Sequence, residues 1–240
     1  ILSMTDEERA RGIIASSSGN HAQGVAFAAQ LLGIRATIVL PTNAPQVKVD
    51  GTRALGAEVV QYGYGSIERY KKLYEIVDEK GYSIVHSYND PVLIAGQGTV
   101  GLEIMEDLKD AETVIVPLGG GGLMAGVAVA VKEINPKTRV IGAEPAAIPR
   151  YSVSRAAGKP MEVEMKPTVA DGLMICVTGS NTYPIIEKYV DELIPVEDEW
   201  ICKAVTLIAH EGKLVVEPSA AISVASVLSG QVKTRPDEKV

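Results

Sequence analysis

Four consecutive glycines, Gly119 to Gly122, stand between an apolar run, Thr113 to Leu118, and a small-residue stretch with helical character, Met124 to Ile134. Residues without side chains leave backbone N–H groups free to converge on one anion, and the following helix adds its positive N-terminal end. The chemistry on offer is a phosphate cradle. A plain surface turn rarely needs so many glycines, because each costs backbone entropy. A second loop, Ser16-Ser17-Ser18-Gly19-Asn20-His21, again lies directly after a strand-like run and before a helix-like one. Its hydroxyls and amide suit a small carboxylate or, equally, a helix N-cap.

Nucleotides are the first candidates for the glycine loop, and both common fingerprints fail. Leu123-Met124 follows Gly122 where a P-loop needs Lys and then Ser or Thr. Gly121 and Gly126 have the outer spacing of a dinucleotide motif, but Leu123 takes its middle position. Glu144, at the end of the run Arg139 to Glu144, sits roughly where a Rossmann fold keeps its ribose-binding acid, so a nicotinamide-binding domain stays open as an alternative.

The elements that must position these loops alternate regularly. Ile13 to Ala15 reads as a strand, Ala22 to Leu32 as a helix stopped by Gly33, and Ala36 to Leu40 as a strand. A helix over Gln46 to Leu55, a strand over Ala57 to Gln61, a helix over Ile67 to Glu79 and a strand over Tyr82 to His86 continue the pattern. Asn89, Pro91, Gly96 and Gly98 interrupt it, which predicts a boundary between a smaller domain, 1–90, and a larger one, 91–240. The second set has helix Thr99 to Leu108, strand Thr113 to Leu118, the glycine loop, helix Met124 to Ile134 and strand Arg139 to Glu144. Residues 145–171 read mostly as loop with a short helix near Ser152 to Ala157. Helices follow at Tyr183 to Val190, Glu199 to His210, and from Pro218. Val- and Ile-rich strands separated by helices predict an α/β fold of two open parallel sheets, each covered on both faces. Ligands gather at the carboxyl ends of parallel strands, so two loops of this kind can face one crevice.

The 240 residues are 46% hydrophobic, enough for one large core or two smaller ones. A net charge of -7 without any basic run argues against nucleic acid or an anionic membrane as partner. Cys176 and Cys202 read as buried thiols of a reduced compartment, which with no apolar stretch of transmembrane length predicts a cytoplasmic protein. Thr5 with Glu8 three residues on reads as a capping box opening a helix, and the absence of an initiator Met suggests a fragment. His21, His86 and His210 stand singly, without metal-ligand spacing, and His86 and His210 read as satisfied polar or core residues. No Gly-x-Ser-x-Gly elbow or activated cysteine points to a hydrolase.

Five segments in order, Ser17 to Gly24, Ala95 to Thr99, Pro117 to Leu123, Ala170 to Gly172 and Glu217 to Ala220, resemble successive motifs of the fold type II pyridoxal-phosphate enzymes (tryptophan synthase β-like). The threonine/serine dehydratase and serine racemase group is the most similar. The resemblance implies that Gly119, Gly120, Gly121, Gly122 and Leu123 bind the cofactor phosphate, that Asn20 bonds the pyridoxal 3'-oxygen, and that Asp171, Gly172 and Glu217 line the cofactor pocket. It also implies that Ser17, Ser18, Gly19, Asn20 and His21 hold the substrate carboxylate. Ser18 matches the serine opposite the catalytic lysine, a proton donor and acceptor in the racemase and a substrate-orienting group in dehydratases. Read without the resemblance, Asp171 is equally a cap or turn residue and Glu217 a helix start.

The departures matter as well. The family's Schiff-base lysine motif and its pyridine-nitrogen segment are not among these residues, so both domains are expected to be truncated and the isolated chain inactive. Tyr88 stands where the racemase has an asparagine and is closer to the dehydratase aromatic, which favours elimination and makes Tyr88 a substrate-site residue. Glu144 matches the first acid of a divalent cation site in several relatives, but Arg150 occupies the later acidic position, which speaks against a metal. The implied reaction is loss of the α-proton and β-hydroxyl from L-threonine or L-serine, giving a 2-keto acid and ammonia, in a homo-oligomer, dimer or tetramer. Serine racemase, a hydroxyaspartate dehydratase and a non-catalytic binding module are the alternatives.

Overall fold

The computed structural model describes residues 1–17, 19–64 and 66–240, with the side chains of residues 66 and 67 outside the description. Ser18 therefore lies outside the described residues. The chain divides into two compact units, Ile1–Ser87 and Tyr88–Val240, each containing its own parallel sheet.

The first unit opens with α1 (Asp6–Arg11), and its capping box forms: the Thr5 hydroxyl accepts the Glu8 amide at 3.2 Å and the Glu8 carboxylate accepts the Thr5 amide at 2.7 Å. Then come β1 (Ile13–Ser16), α2 (Asn20–Leu32), β2 (Ala36–Leu40), α3 (Gln46–Ala54), β3 (Glu58–Gln61), α4 (Ser66–Lys80) and β4 (Ser83–Ile84). The sheet order is β3-β2-β1-β4, with Ile14 of β1 paired to Thr37 of β2 and Ile84 of β4. Successive side chains point to opposite faces of a strand. Ile13, Ala15, Ile38 and Leu40 accordingly pack with Ala22, Val25 and Ala29 of α2, while Ile14 and Val39 pack with Leu73 and Ile76 of α4. Burial on both faces is why these strands read as unbroken apolar runs. Gly33 takes a left-handed conformation after α2, as its position predicts.

The second unit runs α5 (Pro91–Asp107), β5 (Thr113–Pro117), α6 (Gly122–Ile134), β6 (Arg139–Pro145), α7 (Arg150–Ala157), a 3-10 turn (Asp171–Leu173), α8 (Thr182–Tyr189), β7 (Glu192–Val196), α9 (Asp198–Leu207) with a wide turn (Ile208–Gly212), and α10 (Pro218–Leu228). The parallel order is β5-β6-β7. Val114, Val116 and Val140 pack against α5 and α6, and Ala143 and Val196 against α9 and α10.

Four expectations need correction. Cys176 is half-buried and Cys202 exposed, rather than both buried. Residues 91–98 are helical rather than a break: Asp90 caps the Leu93 amide at 2.9 Å and Pro91 takes the first turn. The glycines there let α6 approach, since a Cβ on Gly98 would sit 3.2 Å from the Gly126 carbonyl oxygen, and one on Gly126 only 2.3 Å from that of Ile94. Strand β7 has no counterpart in the sequence reading; its Pro195 is tolerated because β7 lies at the sheet edge. Helix α9 continues beyond Leu207 as the wider π-helical turn Ile208–Gly212, so the helix reaches His210 as expected, but His210 is exposed rather than core. No helix among the described residues is long and apolar enough to cross a membrane.

Candidate active site

In the first unit, the serine loop leaves the carboxyl end of β1, and Gly19 occupies the N-cap position of α2 without a side-chain cap. The Gly19 amide donates to Ser17 Oγ at 3.3 Å, and the Ala22 amide to the Gly19 carbonyl at 3.0 Å. His21 Nε2 lies 3.0 Å from the Val85 carbonyl oxygen, which joins the loop to the end of β4. Burial pushes the His21 imidazole below its ordinary pKa, the nearby His86 adds to this, and the Val85 hydrogen bond opposes it. His86 is satisfied as a polar residue, stacked on Tyr70 with its Nε2 3.3 Å from the phenol oxygen. Ser16 Oγ is buried with no hydrogen-bond partner among the described residues, a polar atom left over at this loop.

In the second unit, the glycine loop follows β5 and enters α6 with Gly121 as N-cap, at φ 92°. A Cβ at Gly121 would be strained at that φ and would meet the Tyr151 phenol oxygen at 2.2 Å. One at Gly120 would fall 2.2 Å from Tyr88 Cγ, and one at Gly122 2.9 Å from Tyr88 Cα. The loop needs glycine to let these two tyrosines close on it.

The carbonyl side of the loop is fully engaged. Arg150 Nε donates to the Gly119 carbonyl at 2.9 Å, and its Nη2 to the carbonyls of Leu118 and Gly119. The Tyr151 hydroxyl donates to the Gly120 carbonyl at 2.9 Å, and Thr182 Oγ1 lies 3.1 Å from the same oxygen. Burial pushes the Tyr151 phenol up to about 12, so it stays a donor. The amide side is the reverse: among the described residues, the N–H groups of Gly119 to Leu123 donate to nothing. A row of free amides at a helix N-terminus fits a phosphate dianion.

The other predicted cofactor residues of this unit gather at the same loop. Gly119 packs on Leu173, and the Gly172 amide donates to Ser219 Oγ at 2.9 Å. A Cβ on Gly172 would lie 3.7 Å from Glu217 Oε1, which places Asp171-Gly172 and Glu217, at the start of α10, side by side. Tyr88 lies over the glycines, and the Oδ1 of its neighbour Asn89 accepts the Asn181 amide at 2.7 Å. Glu144 has other work: its two oxygens accept the amides of Tyr151 and Ser152 at 3.0 and 2.7 Å, at the first turn of α7. With both oxygens so engaged and its charge acting on the buried Arg150 guanidinium, the arrangement does not fit a divalent cation.

Sequence reasoning singled out Arg150 only as a departure from the family's cation site, and it missed Tyr151 and Thr182 altogether; none of the three was read as part of the glycine-loop site. Nothing local marks them: an arginine is ordinarily exposed, and these three lie about thirty or more residues from the carbonyls they bind.

Comparison with known proteins agrees with this geometry. The chain is 48% identical to the L-threonine ammonia-lyase of Thermotoga maritima over 229 residues, 95% of the chain and 57% of that enzyme; it thus spans little more than half the relative's length. Its fold is similar to that of maize serine racemase, with a TM-score of 0.95 and 39% identity over 98% of this chain and 71% of that one. It is also similar to the processed form of threonine deaminase isoform 2 from Solanum lycopersicum, with a TM-score of 0.91 and 36% identity over 98% and 69% of the two chains. The family described as pyridoxal-phosphate dependent enzyme matches residues 1–240 throughout. The chain belongs to the pyridoxal-phosphate dependent enzyme family of fold type II.

Proposed function

We propose that this chain is the core of an L-threonine/L-serine ammonia-lyase, which removes the α-proton and β-hydroxyl of its substrate to yield a 2-keto acid and ammonia. The observation that carries the reading is the 48% identity to an L-threonine ammonia-lyase over nearly the whole chain. Pyridoxal phosphate, when bound, supplies the electron sink that makes the α-proton labile. The amides of Gly119 to Leu123 hold its phosphate. Asp171, Gly172 and Glu217 flank that loop as walls of the cofactor pocket, and Tyr88, packed on Gly120, serves the substrate side.

In the first unit, Ser17, Gly19 and His21 bind and orient the substrate carboxylate, and Asn20 bonds the cofactor's 3'-oxygen. Ser18 takes the substrate-orienting role that the family resemblance gives it. His21, kept neutral by burial near neutral pH, hydrogen-bonds without adding charge. A homo-oligomer in the cytoplasm completes the proposal; the free thiols Cys176 and Cys202 support a reducing compartment.

The similarity to maize serine racemase favours racemisation as the second reading. Incubating the intact protein with L-threonine, L-serine and 3-hydroxyaspartate separates the two. Formation of 2-oxobutanoate from threonine is expected; D-serine as main product, with little keto acid, would replace the lyase by the racemase.

A further inference from the structure

We propose that Arg150 is a positioning residue for the phosphate cradle: its guanidinium pins the carbonyls of the glycine loop inward, which turns the loop's amides outward onto one anion position. The proposal rests on the reading of Gly119–Leu123 as a phosphate site.

Arg150 has no exposed surface. A buried guanidinium is expensive unless its donors are all used, and among the described residues its hydrogen bonds go to backbone carbonyls: Leu118, Gly119 and, from Nη1 at 2.9 Å, Ile148. A trans peptide holds its C=O and N–H antiparallel in one plane. Drawing the Leu118 carbonyl inward therefore drives the Gly119 amide outward, and the Gly119 carbonyl does the same for the Gly120 amide. Tyr151 and Thr182, bonding the Gly120 carbonyl, extend this to the Gly121 amide. Three successive peptide planes are thus oriented by side chains from α7 and α8.

Charge adds to orientation. Carbonyls do not neutralise the guanidinium, so a positive charge remains directly behind the amides, in a region shielded from water. Glu144 partly offsets it, but its oxygens are shared with the amides of α7. A lysine would keep the charge and lose the planar fork that binds neighbouring carbonyls together.

Titrating the full chain with pyridoxine 5'-phosphate and with pyridoxine measures the contribution of the phosphate as a ratio of affinities, without an aldehyde to react with lysines. Arg150→Lys is expected to lower that ratio about tenfold while leaving the affinity for pyridoxine within about twofold. Tyr151→Phe, which frees only the third carbonyl from its phenol, is expected to lower it about threefold and tests the same mechanism if the lysine variant does not fold. A ratio unchanged in both variants would overturn the role of Arg150. No preference for the phosphorylated ligand in the wild-type chain would instead overturn the phosphate reading of the loop.

Discussion

The close approach of α5 and α6 makes a quantitative test of the packing that carries the glycine loop. Alanine at Gly126 would place a Cβ 2.3 Å from the Ile94 carbonyl oxygen and 2.6 Å from the Gly98 amide, whereas ordinary contact begins at 3.4 Å. Both obstacles are backbone, so no side chain can swing aside, and α5 and α6 must separate by about an ångström. Overpacking of this kind costs roughly 1–3 kcal/mol, against a helix-propensity gain of about 1 kcal/mol for replacing glycine. Gly96→Ala is the internal control, because a Cβ there meets nothing within 4 Å and the propensity gain stands alone. Gly126→Ala should therefore be about 2 kcal/mol less stable than Gly96→Ala, or about 1 M apart in urea midpoint at an m-value near 2 kcal/mol/M. Both positions lie in the 88–240 unit, so the comparison holds even if the units unfold separately. Circular dichroism during urea titration measures it. Equal midpoints, or a more stable Gly126→Ala, would refute the close-approach argument.

Two further outcomes are expected. His21 is held below its ordinary pKa, so its contribution to stability is fully present above about pH 6.5 and is lost as pH falls through its folded value; denaturation at about pH 7.5 and 5.5 should show a loss that His21→Asn diminishes, and an identical pH slope in the variant would refute it. Asp90→Ala should destabilise the second unit by about 1 kcal/mol by leaving the Leu93 amide uncapped, and thermal unfolding indistinguishable from wild type would show that water replaces the cap.

Much of the architecture was legible because it is local. The apolar runs Ile13 to Ala15 and Ala36 to Leu40 announce strands buried on both faces, and Gly33 announces a helix stop through a conformation other residues adopt at a cost. The failures share a cause. Gly96 and Gly98 carry the local signature of a break, but Asp90 and Pro91 start a helix and Gly98 packs it on Gly126, so tertiary contact outweighs propensity. Strand β7 went unread, and Pro195 is accommodated within it only because β7 lies at the sheet edge.

The candidate site divides in the same way. Sequence by itself determined that a run of four glycines and a serine/asparagine loop each stand between a strand and a helix, and that both occur among motifs resembling one enzyme family. Those are properties of residue type and short-range order. Only the tertiary structure decided which way the glycine amides face, because a peptide plane is oriented by whatever binds its carbonyl. Here that is Arg150, Tyr151 and Thr182, brought by α7 and α8 to carbonyls about thirty or more residues away. An arginine that would be read as solvated surface becomes fully buried beneath the loop, where the carbonyls it binds leave the amides free to hold a ligand.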